Sequence, residues 1–132
     1  VRFLLDTNIL SAQIRQPAQY AHRFIQYTGR LYSSSISIAE LYVWAYRRSD
    51  PDEGLMAIDC MLNYQAGVVN FDTVCGNTFG KVRVNLRKHG IEVNTVDLMI
   101  ASTALTHDLV LVTHNTSDFN RIPGLVLEDW LR

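Results

Sequence analysis

Four carboxylates in this 132-residue chain stand where the surrounding residue types allow chemistry. Asp6 ends the apolar run Phe3-Leu4-Leu5 and is followed at once by Thr7 and Asn8. Glu40 has Ile36 four residues before it, Val43 three after and Trp44 four after, whereas Asp97 shares a helical face with Ile100, Ala101, Ala104 and Leu105. Asp118 follows a polar turn that holds Thr113 and Asn115. A solvated acid more often lies opposite an apolar stripe. Glu40 and Asp97 therefore read as partly buried acids, which need a partner or become neutral. The sequence puts no Lys or Arg beside either. Carboxylates that converge repel one another, and a hard cation such as Mg²⁺ or Mn²⁺ resolves the repulsion through oxygen ligands. Asn8, Ser37, Thr113 and Asn115 would then supply hydrogen bonds or water-mediated contacts around the ion. The chemistry open to such a site is hydrolysis of a phosphodiester, because a bound cation acidifies water and neutralises phosphate.

Structural uses compete for three of these acids. Asp6 follows a strand and can cap the next helix. Asp97 lies three residues after Asn94, the spacing of a capping box. Asp118 suits an Asx turn. Taken from the residues alone, both readings stand for each.

The elements that would carry the acids alternate between strand and helix. Residues 2–6 read as a buried strand, "ILSAQIR" as a short helix stopped before Pro17, and "AQYAHRFIQYTG" as a helix stopped at Gly29. "RLYSSS" is a weak strand and "ISIAELYVWAYRR" a helix. In "DPDEGLMAIDCMLNY", Asp50, Pro51 and Glu53 have the spacing of a capping box with Pro at the first helical position. "GVVNF" reads as a strand, Asp72 as the cap of a long helix reaching "LRKHG", and "NTVDLMIASTALTHD" as another helix. The strand "LVLVT", the polar turn "HNTSDF", a last strand "LVLE" and the closing "DWLR" complete the chain. The pattern predicts an α/β fold, a mostly parallel sheet of about five strands flanked by helices on both faces. In such sheets ligands bind outside the carboxyl ends of the strands. Asp6, Glu40 and the Thr113–Asp118 turn fall on that edge, and Asp97 less directly.

Composition bounds the rest. Hydrophobic residues make up 48% and charged residues 19%, as in a globular domain, and the length suits one domain over residues 1–132. No apolar run is long enough to span a membrane. The first residues do not read as a signal peptide, and Val1 in place of Met suggests processing, a non-standard start or trimming. Cys60 and Cys75 read as reduced core thiols of a cytoplasmic protein, without the spacing of a zinc site. A net charge of −1 argues against a nucleic-acid binder, but with the four acids neutralised by cations the balance turns basic. Lys81, Arg83, Arg87, Lys88 and His89 fall within nine residues, either as a phosphate-binding patch or as a solvated helix face.

The blocks "LLDTNIL", "SISIAELYVWA", "NTVDLMIASTAL" and "LVTHNTSDFNRIPGLVLEDW" resemble, in order and spacing, the PIN-domain ribonucleases of the VapC toxin type. The resemblance implies a single PIN domain with an acidic pocket for Mg²⁺ or Mn²⁺ and hydrolysis of RNA by activated water. It maps the family's acids onto Asp6, Glu40, Asp97 and the Asn115/Asp118 turn. Asp6 and Asp97 would be metal ligands and Glu40 a ligand or the group that orients water. Thr7, Asn8, Ser37, Thr113 and Asn115 would be supports. Asn115 lacks the charge that the wider family can supply there, and Asp118 would stand in. Such proteins pair with a small antitoxin, form homodimers, and often cleave structured RNA such as tRNA.

Two other readings compete. A phosphatase of the haloacid-dehalogenase class also starts with a strand ending in Asp. It requires a second acid where Asn8 stands and a lysine after a later strand, whereas Lys81 and Lys88 fall in one helix. A catalytically inactive PIN fold acting as a binding module would be expected to have lost an acid, and Asp6, Glu40 and Asp97 are all retained. Tyr42, Trp44 and Tyr46 could stack on bases, but their spacing spreads them around a helix. Trp44 reads as core, and the tyrosines as half-buried or as a dimer or antitoxin surface.

Overall fold

The computed structural model describes residues 1–131; Arg132, the last residue of the closing "DWLR", lies outside them. Five parallel strands lie in the order β3-β2-β1-β4-β5: β1 (Phe3–Leu5), β2 (Leu31–Ser34), β3 (Gly67–Val69), β4 (Val110–Val112) and β5 (Leu127–Glu128). Among the described residues, seven helices connect them: α1 (Thr7–Arg15), α2 (Pro17–Gln26), α3 (Ser35–Arg47), α4 (Pro51–Leu62), α5 (Thr73–Lys88), α6 (Thr95–His107) and α7 (Thr116–Phe119). The chain grows outward from β1 through β2 and β3, then returns to β1's other side for β4 and β5. The reversal falls between β1 and β4, and open α/β sheets bind ligands beside such a reversal.

Strand alternation divides the core into two layers. Phe3 and Leu5 face one cluster with Ile9, Leu10, Phe24, Ile38, Leu41, Ala45, Ile58 and Met61, supplied by α1 to α4. Leu4 faces the other with Leu86, Leu98, Ala101, Ala104 and Phe119, supplied by α5 to α7. Both faces of β1 are thus covered, which is why its sequence is uniformly apolar.

Local chemistry sets the boundaries. Pro17 begins α2 at a position where its missing N–H costs nothing. Gly29 (φ +83°) and Gly90 (φ +71°) take the left-handed conformations that follow α2 and α5. Inside α4, a Cβ on Gly54 would lie 3.0 Å from that of Ala45, so glycine allows α3 and α4 to pack closely. The Asp50 carboxylate accepts the Glu53 N–H at 3.4 Å, but Glu53 turns to Arg48 at 3.3 Å, so half of the expected capping box forms. Within "HNTSDF" the structure has the short helix α7, whose single apolar residue, Phe119, is fully buried. Cys75 is buried as expected; Cys60 is exposed, contrary to the core reading, because it lies on the outer face of α4.

Trp130 closes the first layer. Its ring stacks on Tyr27 at 5.3 Å and meets Phe3 at 5.4 Å and Phe24 at 6.1 Å, tying the end of the chain to its first strand. Trp130→Ala should cost about 3–5 kcal/mol of stability, seen as a lower urea midpoint with an unchanged slope.

Candidate active site

Register brings the first acid to its partner. Leu5 pairs with Val112 on β4 and with Ser33 on β2. One residue further on, Asp6 therefore lies between Thr113 and Ser34, at the carboxyl ends of three adjacent strands. The Asp6 N–H donates to the Val112 carbonyl at 2.9 Å, fixing the turn out of the strand. Its Oδ1 accepts the Thr7 N–H and its Oδ2 the Thr113 hydroxyl, both at 2.8 Å. Asp6 is thus the N-cap of α1, as one sequence reading has it, and it also lines the pocket described below.

Three helices deliver the rest. Ser34 caps α3, accepting from Ile36 N at 3.1 Å, and Glu40 follows in the second turn. Glu40 Oε1 accepts the Thr7 hydroxyl at 2.6 Å, which links α3 to α1. Asn94 caps α6 by accepting from Val96 N and Asp97 N at 2.9 and 3.3 Å. Because α6 runs back along the sheet to β4, its first turn lies on the same edge as Asp6. Among the described residues the Asp97 carboxylate has no hydrogen bond to close a capping box. Asn8 Oδ1 accepts the His114 N–H at 3.2 Å, and Thr113 Oγ1 accepts the Asn115 N–H at 3.0 Å, which shapes the loop after β4.

Asp6, Thr7, Asn8, Glu40, Asp97 and Asn115 line one open pocket of about 480 Å³. Its electrostatics are those of crowded acids. Burial pushes the Asp97 carboxyl up from 3.8 to about 6, with further upward pushes from the charges on Asp6, Asp118 and Glu40. Asp6 is also raised, chiefly by burial, although the Thr113 and Thr7 hydrogen bonds pull the other way. Among the described residues, no three His, Cys, Asp or Glu side chains gather tightly enough to cage an ion alone.

Several expectations need correction. Glu40 is exposed, not partly buried, because Val43 beside it turns to solvent and the apolar flank is discontinuous. Ser37 is fully buried outside the pocket, its hydroxyl without a partner. Asp118 is exposed on α7 and makes no Asx turn; Asn115 lines the pocket, and Asp118 acts on Asp6 and Asp97 only through its charge. The basic run divides: Arg83 turns inward, whereas Lys81, Arg87, Lys88 and His89 are exposed, as on a solvated helix face. Arg83 is 8% exposed and donates to Val93 O at 2.7 Å and Thr95 Oγ1 at 3.0 Å, pinning the segment that leads into α6. Arg87 pairs with Glu92 at 2.8 Å. Trp44 is half-buried and forms part of the pocket wall. Sequence reasoning also missed Ser11 and Arg15 in the lining. Their signal was the spacing of four from Thr7, which aligns Thr7, Ser11 and Arg15 along one face of α1.

The model of the PIN domain matches residues 3–125 of the chain. The tRNA(fMet)-specific endonuclease VapC of Shigella flexneri is 34% identical over 131 residues, covering 98% of each chain. Among solved structures, DNA-bound VapBC from Salmonella typhimurium matches with a TM-score of 0.92 and 34% identity over 98% of each chain. VapBC2 from Rickettsia felis, bound to a promoter DNA fragment, matches with a TM-score of 0.90 and 29% identity over 98% of this chain and 99% of that one. The chain belongs to the PIN-domain family. Relatives that it matches at 30% identity or more along nearly the whole chain include VapC ribonucleases.

In the absence of divalent cations, the folded state holds more protons than the unfolded chain between pH 3.8 and about 6, because Asp97 is raised. Stability should therefore fall as pH rises through that window and level off above it. Asp97→Asn should remove its own share of this slope, leaving that of Asp6, and raise stability above pH 6 by about 1 kcal/mol, a figure discounted because the group is half-open to water. Thermal melts in chelator from pH 4 to 8 would check both. Arg83→Ala should destabilise the fold by about 2–3 kcal/mol by stranding the Val93 carbonyl, measured by urea unfolding.

Proposed function

We propose that this protein is a Mg²⁺- or Mn²⁺-dependent endoribonuclease, the toxin of a toxin–antitoxin pair, acting in the cytoplasm as a homodimer held in check by a small antitoxin protein. The observation that carries the reading is the convergence of Asp6, Glu40 and Asp97, from three elements, on one pocket at the sheet's reversal point. The names of the VapC relatives support ribonuclease activity, and the Shigella relative's name favours tRNA as the substrate class.

Asp6 and Asp97 would hold the cation. When bound, it would acidify a water and offset the charge on the scissile phosphate. The chain's own residues prepare that arrangement. Thr113 and the Thr7 N–H fix both Asp6 oxygens, so the carboxylate cannot rotate away. The Thr7 hydroxyl holds Glu40 Oε1, leaving the second oxygen to orient the attacking water and take its proton. Asn115 and Asn8 shape the loop on the far side, and Asp118 adds negative field from outside.

The haloacid-dehalogenase alternative has no support: Asn8 is engaged in tying the loop, and no lysine lines the pocket. An inactive binding module gives no reason to retain three acids whose mutual repulsion costs stability.

Purified protein should cut total tRNA with Mn²⁺ or Mg²⁺ and not with chelator, and Asp6→Asn should abolish the cuts while melting as a folded protein. Thr113→Val should slow cleavage by about 10–100-fold. Metal-independent cuts, or cuts that persist with Asp6→Asn, would overturn the reading.

A further inference from the structure

The pocket has a second half that hydrolysis does not use. Ser11, Arg15 and Trp44 line it alongside the acids. Trp44 lies one turn beyond Glu40 on the same face of α3, and the Arg48 guanidinium sits 4.9 Å from its ring centre. Its indole N–H carries no hydrogen bond among the described residues. Arg15 bonds only to the Ser11 carbonyl, at a long 3.3 Å, and forms no ion pair among the described residues although three carboxylates line the same pocket. A second small cavity between α1 and α3, lined by Ser11, Ile14, Arg15, Leu41 and Trp44, continues in that direction.

A half-open indole and an unpaired guanidinium beside a set of hydrolytic acids match what a polynucleotide offers next to its scissile phosphate: the flat face of a base and the following phosphate. Aromatic rings take bases of any identity by stacking, and arginine takes phosphate through its fork of N–H groups. Arg48 behind the indole would lock it as a platform.

We propose that Trp44 and Arg15 form a nucleotide subsite, in which the base flanking the cut stacks on Trp44 and its non-scissile phosphate meets Arg15. The subsite rests on the ribonuclease reading for its biological meaning, but its binding can be read without cleavage. It requires a single-stranded nucleotide at the cut, so a structured RNA would be cut in a loop. Trp44 and Arg15 are positioning residues for the strand and have no part in activating water.

The chain has two tryptophans, and Trp130 is 5% exposed. Quenching of emission by added RNA therefore reports on Trp44. In chelator, where nothing should be cut, an eight-nucleotide oligo(A) should quench emission saturably, and Trp44→Phe, which keeps a ring but loses the reporter, should retain affinity within about threefold when binding of end-labelled oligo(A) is followed by anisotropy, the readout used for every Trp44 variant. Trp44→Leu should weaken binding and raise KM by about 10-fold with kcat nearly unchanged. Arg15→Gln should lower the slope of affinity against salt by about one phosphate contact. Arg15 is exposed, so its variant tests the proposal even if Trp44→Leu fails to fold. Absent quenching, or an unchanged salt slope with Arg15→Gln, would overturn the subsite. Metal-dependent cleavage without quenching would sink the subsite and leave the ribonuclease standing. Quenching without cleavage would do the reverse.

Discussion

A carboxylate buried at the end of a strand is the constraint around which this structure is arranged. Asp6 is 4% exposed, and its charge is tolerable only because both oxygens are occupied: one by the first N–H of α1, the other by the Thr113 hydroxyl. The second bond depends on β1 and β4 pairing in one register, with Leu5 opposite Val112. A slip by one residue would turn every side chain of β1 to the other layer and leave Asp6 facing no hydroxyl. The same register sets Asp6 beside Ser34, so the caps of α1 and α3 start side by side. Glu40 then comes within reach of Thr7. One pairing thus fixes two acids and the turn that carries Asn115.

The third acid is held more indirectly. Asp97 belongs to a helix whose first turn is placed by the segment before it, and that segment is pinned by the buried Arg83 guanidinium from α5. A residue on the far face of the sheet therefore sets the position of a pocket carboxylate. Burial is the main cause of the upward shifts of Asp6 and Asp97, and the neighbouring carboxylates push in the same direction.

Much of this was legible from the amino acids. The strand–helix alternation pointed to the parallel sheet, and Asp6 after a strand with Glu40 early in a helix pointed to the pocket edge. Features that depend on packing between distant elements were not. Arg83 sits in a basic run, and nothing local distinguishes a brace from a solvated charge until Val93 and Thr95 are brought under it. Glu40 looked buried from its spacing to Val43 and Trp44, but no neighbouring element covers Val43. The helix α7 is too short for periodicity to register and owes its existence to one anchored side chain, Phe119. The lining by Ser11, Arg15 and Trp44 needed two helices to be set against each other, which spacing along either one could only hint at.

The strand order also governs when the site can exist. Asp6 and Glu40 lie in the first third of the chain, but Asp97 and Thr113 come only after most of it has been made, and β1 stays an open edge until β4 arrives. Contacts this far apart in sequence form late, and domains built on them complete their folding slowly. During synthesis, then, the chain emerges with its acids unassembled. The pocket is complete only once α6 and β4 have joined β1, so a part-made chain carries Asp6 and Glu40 without the site they belong to.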